Sequence, residues 1–108
     1  MNMQELKTKS GEAAALLKAL SNDFRLMILC ELKEGERSVS ALEAVVPLSQ
    51  SALSQHLAKL RESGLVSTRR EAQTIFYSLD DARAARLIDV LYELFCSKSK
   101  SQTKRRRQ

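Results

Sequence analysis

Pro47-Leu48-Ser49-Gln50-Ser51-Ala52-Leu53-Ser54-Gln55-His56-Leu57-Ala58-Lys59-Leu60-Arg61-Glu62-Ser63-Gly64 is the stretch on which the reading of this chain turns. Pro47 closes the preceding segment, Ser49 can cap the first amides of a new helix, and Gly64 supplies a permissive residue past its end. The spacing predicts a helix over Gln50 to Ser63. At about 100° per residue, Leu53, Leu57 and Leu60 fall on one stripe. Ser51, Gln55, Ala58 and Glu62 point the opposite way, with Ser54 and Arg61 on the flanks. The short hydroxyls and amides near the N-terminal end suit base edges in a major groove, and Lys59 and Arg61 suit phosphates. An ordinary amphipathic surface helix fits this stretch alone equally well, so its surroundings decide.

Upstream, Val39, Leu42, Val45 and Val46 form the apolar side of a short helix opened by Ser38 or Ser40, with Glu43 placed three after Ser40 as in a capping box. Pro47 and Leu48 then leave room only for a tight turn, and two helices so joined make a helix-turn-helix candidate. Downstream the period changes. Leu65 to Arg70 and Thr74 to Leu79 are rich in β-branched and aromatic residues, and Glu71-Ala72-Gln73 reads as a hairpin tip. Such a hairpin is a wing. Arg69, Arg70 and Gln73 are expected near its tip, within reach of phosphates or a minor groove. A lone hairpin is marginal, so Leu65, Ile75 and Tyr77 or Phe76 are expected to pack on the helices.

Three further helices complete the expectation. Met1 to Lys9 has no clear periodicity, whereas Ala13, Leu16, Leu17 and Leu20 mark a helix from Ser10 to Leu20 whose small, Ala-rich surface suits another helix or subunit. Ser21 or Asn22 caps a second helix to about Lys33, with Leu26, Leu29 and Leu32 inward and Gly35 ending it. Cys30 falls at the edge of that face. Asp80 or Asp81 caps the last helix, where Ala84, Leu87, Ile88, Leu91, Leu94 and Phe95 form a stripe long enough for subunit contact. The expected fold is mainly α with a small β-hairpin: a winged helix-turn-helix of five helices plus wing, homodimeric, over residues 1–97. Residues 98–108 are expected to be a disordered basic tail.

Composition narrows the function. A chain of 108 residues, 44% apolar, supports one core. Its longest apolar run near the start, Ala13 to Leu17, is too short for a signal peptide or membrane span, so a cytoplasmic protein without membrane partners is expected. The net charge of +5 is mainly a tail property. Six basic residues and no acid lie from Ser97 to Gln108, leaving twelve basic against thirteen acidic residues elsewhere. Catalysis finds no support, since no nucleophile, base and orienting group assemble by spacing and no phosphate loop is present. A tight metal site wants several converging ligands, and the chain offers one histidine and two distant cysteines; His56 better suits packing or DNA contact. No cofactor is expected.

Leu20 to Leu29, Leu48 to Leu57, Leu60 to Val66 and Ile75 to Leu79 together resemble the ArsR family of dimeric winged-helix repressors. Within it, residues 10 to 97 are similar to the dithiol sensors of the BigR, SqrR and HlyU group. That group carries one cysteine in the second helix and one at the end of the last, matching Cys30 and Cys96. The resemblance implies a repressor on double-stranded, pseudo-palindromic operator DNA, contacted through Gln50, Ser51, Ser54, Gln55, His56, Lys59, Arg61, Arg69, Arg70 and Gln73. It implies release when a low-molecular-weight persulfide or oxidant links Cys30 to Cys96. An anti-silencing activator with modulating cysteines, or a metal-responsive repressor, is the alternative. For an unrelated helical chain, two inert filler cysteines would be the default. At the end of its helix Cys96 meets an unfavourable dipole, against which Lys98 and Lys100 act.

Overall fold

Helix α4 (Gln50–Glu62) forms where its leucines demand it: Leu53, Leu57 and Leu60 are buried, and Ser49 accepts the Ala52 amide at 3.1 Å as its cap. The computed structural model describes residues 1–96, and the basic tail lies outside the described residues. Before α4 come α1 (Met3–Leu20), α2 (Asp23–Lys33), strand β1 (Arg37–Ser38) and α3 (Val39–Val45). After it come β2 (Val66–Glu71), β3 (Thr74–Leu79) and α5 (Ala82–Phe95). The core gathers Leu20, Ile28, Leu29, Leu32, Leu42, Val46, Leu65, Val66, Ala84 and Ile88 around the α4 leucines, so the four helices α2 to α5 hold one another through a shared apolar centre.

The strands form an antiparallel sheet of order β1-β3-β2. In the wing, Val66 pairs with Leu79, Thr68 with Tyr77, Arg69 with Phe76, Arg70 with Ile75 and Glu71 with Thr74. Because successive side chains alternate across a sheet, Val66, Thr68 and Arg70 share a face with Leu79, Tyr77 and Ile75. Tyr77 and Leu79 pack on the core, which makes this the helix side. Phe76 and Ser78 stand on the outer side. The turn is tighter than expected, since Glu71 is already in the ladder and only Ala72 and Gln73 lie beyond it, with Ala72 at φ +57°.

Several features differ from the sequence expectation. α1 starts at Met3, not Ser10, because Asn2 accepts the Gln4 and Glu5 amides at 3.0 and 3.1 Å; residues 3–15 are all exposed, so no burial period marks that half. The α3 cap is Ser38, which accepts the Ala41 amide, so Ser40 and Glu43 form no capping box. Pairing of Arg37 and Ser38 with Tyr77 and Phe76 fixes the extended backbone that a cap needs. Ile75 remains 37% exposed rather than covered by helices, being opposite Arg70 near the tip. Phe76 is taken by Arg69 instead of the core.

The start of α5 carries a stability prediction. Asp81 accepts the Arg83 and Ala84 amides at 2.8 and 3.0 Å, and Arg83 Nη2 donates to it at 3.0 Å. Arg83 first, and then the cap amides, hold this carboxyl below the ordinary aspartate range. Asp81→Ala is expected to cost about 1 kcal/mol in urea unfolding at neutral pH. A depressed carboxyl stabilises above the ordinary aspartate range, and that share is lost as the pH falls through its lowered value. The gap between wild type and variant should therefore close in acid; a constant gap would remove the charge from the explanation.

Candidate nucleic-acid interface and thiol groove

Val46 is buried, the Leu48 amide donates to the Val46 carbonyl at 2.8 Å, and Ser49 caps α4, so the chain from α3 to α4 turns within Val46 to Ser49. That turn aims the outer side of α4 at solvent. Gln50, Ser51, Ser54, Gln55, Lys59 and Arg61 are all exposed. Among the described residues, the side chains of Gln50, Ser51, Ser54, Gln55 and Arg61 make no hydrogen bond or ion pair. Polar groups left in water at a helix's exposed N-terminal half remain available to another molecule.

His56 is placed differently from these neighbours. It is half-buried against α2, its ring centroid 6.1 Å from that of Phe24 and its Nδ1 3.5 Å from Arg25 Nη1. Arg25 in turn donates Nε to the Ala19 carbonyl at 2.7 Å, near the end of α1. Desolvation first, then the charges of Arg25 and Lys59, push the imidazole below its ordinary pKa. The ring there braces α4 on α2, the packing role that the sequence offered for His56 beside DNA contact.

In the wing, Arg70 and Gln73 are exposed and make no side-chain bond among the described residues. Arg69, expected beside them, is instead forked onto Glu36, with Nε to Oε2 and Nη2 to Oε1 both at 2.8 Å. The sequence held no signal for this partner, which lies 33 positions away.

Cys30 lines a groove between α2 and α5. Cys30, Glu31, Lys33 and Glu34 line it from one side and Ile88, Asp89, Tyr92 and Glu93 from the other, with Lys33 Nζ bridging to Asp89 Oδ1 at 3.1 Å. Cys96 follows Tyr92, a lining residue of the groove, by four residues and caps α5, its amide donating to the Tyr92 carbonyl at 2.8 Å. Both thiols are free and exposed. Burial by its surroundings raises the Cys30 pKa, and the charges of Cys96 and Glu31 raise it further. The two sulfurs therefore lie within electrostatic range of each other. Among the described residues, no group of three or more His, Cys, Asp or Glu converges to hold a metal ion, and no helix is long and apolar enough to cross a membrane.

A short helix turned tightly into an amphipathic one, with a strand pair beside it, defines a winged helix-turn-helix, the architecture of a large class of DNA-binding transcriptional regulators. Residues 22–68 match the family model described as bacterial regulatory protein, arsR family. The chain is 52% identical over 96 residues to the transcriptional activator HlyU of Vibrio cholerae, covering 89% of each. It is 47% identical over 100 residues to the biofilm growth-associated repressor of Xylella fastidiosa, covering 93% of this chain and 88% of that one. The reduced HlyU structure from Vibrio cholerae superposes with a TM-score of 0.83 at 51% identity over 87% of this chain and 99% of that one. The repressor BigR from Xylella fastidiosa gives 0.84 at 47% identity, over 91% and 100%. The chain belongs to the ArsR family of regulators.

Proposed function

We propose that the chain is a homodimeric repressor that reads a pseudo-palindromic operator with α4 and releases it when reactive sulfur species or oxidants link Cys30 to Cys96. The observation that carries the switch is the approach of the two exposed thiols: Cys30 lines a groove whose α5 wall includes Tyr92, and Cys96 caps α5 one turn beyond Tyr92, near enough for its charge to raise the Cys30 pKa. A persulfide supplies the chemistry without metal. Two persulfide molecules and the two thiols give a trisulfide, two parent thiols and hydrogen sulfide. A cysteine thiolate first accepts sulfane sulfur twice, and the other cysteine then displaces hydrosulfide from the chain so formed. With a low-molecular-weight disulfide, two exchange steps give a direct Cys30–Cys96 bond and two thiols, which requires Cα atoms within about 7 Å. Either bridge ties α2, which carries part of the core under α4, to α5.

Relatives similar to this chain include both an activator and repressors by name. The repressor reading is preferred because the switch needs only loss of DNA affinity. Base reading is tested directly. Gln55 is exposed on the outer face without a side-chain partner, and a bidentate amide contact to adenine discriminates by about 1 to 3 kcal/mol. Gln55→Ala should therefore lose that much affinity on a duplex selected from a random library by the wild-type protein, and little on unselected DNA. Equal losses on both, measured by mobility shift, would reject base reading by this residue.

A further inference from the structure

The three charged residues nearest the outer side of the wing do not present a cation. Arg69 is forked onto Glu36, its Nη1 also reaches Glu71 Oε2 at 3.4 Å, and its guanidinium carbon lies 4.5 Å over the centre of the Phe76 ring. Ser78 Oγ donates to the same Glu36 carboxylate at 3.4 Å. One arginine with two glutamates sums to a charge of −1, which repels phosphate. The sheet order β1-β3-β2 places Glu36, the residue before β1, across the central strand from Arg69 on β2. The ion pair thus closes over the outer side of β3, with Phe76 beneath it. β1 contributes only Arg37 and Ser38 to the ladder, and the Glu36–Arg69 pair adds a side-chain tie from the residue before β1 to β2 on the outer side. Arg70 stands on the opposite, helix side, paired with Ile75 and exposed.

We propose that Glu36 and Arg69 form a clamp that fixes the wing against the helical body, making both positioning residues and leaving the phosphate contact of β2 to Arg70. This rests on the reading of the wing as a DNA-contacting element. A forked guanidinium is needed, because an ammonium group cannot make both bonds or lie flat on the ring. Releasing the wing costs affinity through the entropy of re-ordering it on DNA, without changing how many counterions leave.

The test compares Arg69→Lys, Arg69→Ala, Glu36→Gln and Arg70→Ala with wild type on a duplex selected from a random library, across a salt series. The three clamp variants should each bind roughly fivefold more weakly at fixed salt. They should keep the wild-type salt slope and melting temperature. Arg70→Ala should flatten the slope by about 0.9 per subunit. Wild-type affinity, measured first, judges the DNA reading by itself. Independently of DNA, amide hydrogens of residues 66–79 in the free protein should exchange faster in the clamp variants and at the wild-type rate in Arg70→Ala. Unchanged exchange in Arg69→Lys would overturn the clamp. So would wild-type affinity in Arg69→Lys together with a flattened slope in Arg69→Ala, which would make Arg69 a phosphate contact. Tighter binding with a steeper slope in Glu36→Gln would also overturn it, since Glu36 would then only mask Arg69.

Discussion

Leu94→Asp with Phe95→Asp should leave a folded monomer whose operator affinity has fallen on the order of 10² to 10⁴-fold. Both residues lie at the end of α5, 70% and 80% exposed in the single chain, so neither contributes to the core and the fold should survive. An apolar groove beside them, lined by Leu17, Leu20, Leu26, Leu87, Val90 and Leu91, runs between α1, α2 and α5, and Leu17 is itself 57% exposed. A soluble monomer rarely keeps so continuous an apolar strip in water, and a two-fold copy of the same strip would cover it. Joining two reading heads makes the second half-site contact intramolecular, and that avidity is what the aspartates remove. Sedimentation should find the wild type dimeric at micromolar concentration and the variant monomeric. A monomeric wild type, or a monomeric variant with undiminished affinity, would end this account. In the dimer the two α4 helices must stand roughly 34 Å apart to enter successive major grooves.

Much of the framework was legible because local and global signals agree in it. Leu53, Leu57 and Leu60 are spaced for one face and are buried together, and Ser49 and Asp81 cap where their neighbours in sequence place a helix start. What the sequence did not show was whatever depended on partners distant in sequence or on exposure. The first half of α1 buries nothing, so its residues carry no period to read. β1 is two residues long and exists only because β3 returns to pair with it. His56 stands among polar neighbours on α4, yet Phe24 and Arg25, some thirty positions earlier, decide its environment. Arg69 and Arg70 are indistinguishable as letters. Strand alternation separates them once Tyr77 is known to face the core, and Glu36 then claims the one on the outer side.

Persulfide treatment of the wild-type dimer should weaken operator binding roughly a hundredfold, and either Cys30→Ser or Cys96→Ser should abolish the response while leaving DNA binding intact. The magnitude needs little: two bridges per dimer, each disfavouring the DNA-competent conformation by about 1.4 kcal/mol, supply it. Intact mass should show one sulfur gained and two hydrogens lost per chain, with the link inside one subunit. A lone thiol can be modified but cannot close the bridge, which is why each serine variant should stay bound. Electrostatics supplies a second readout. Desolvation, the Cys96 charge and Glu31 raise the Cys30 pKa, so its alkylation rate should keep climbing with pH beyond the ordinary cysteine range. Cys96→Ser removes one of those causes and should bring the titration of Cys30 down. Inert filler cysteines forecast otherwise: slow reaction, loss of stability in the serine variants, and DNA affinity indifferent to sulfur donors. Full response retained by both single variants would rule out a dithiol switch and move the inducer's site elsewhere on the dimer.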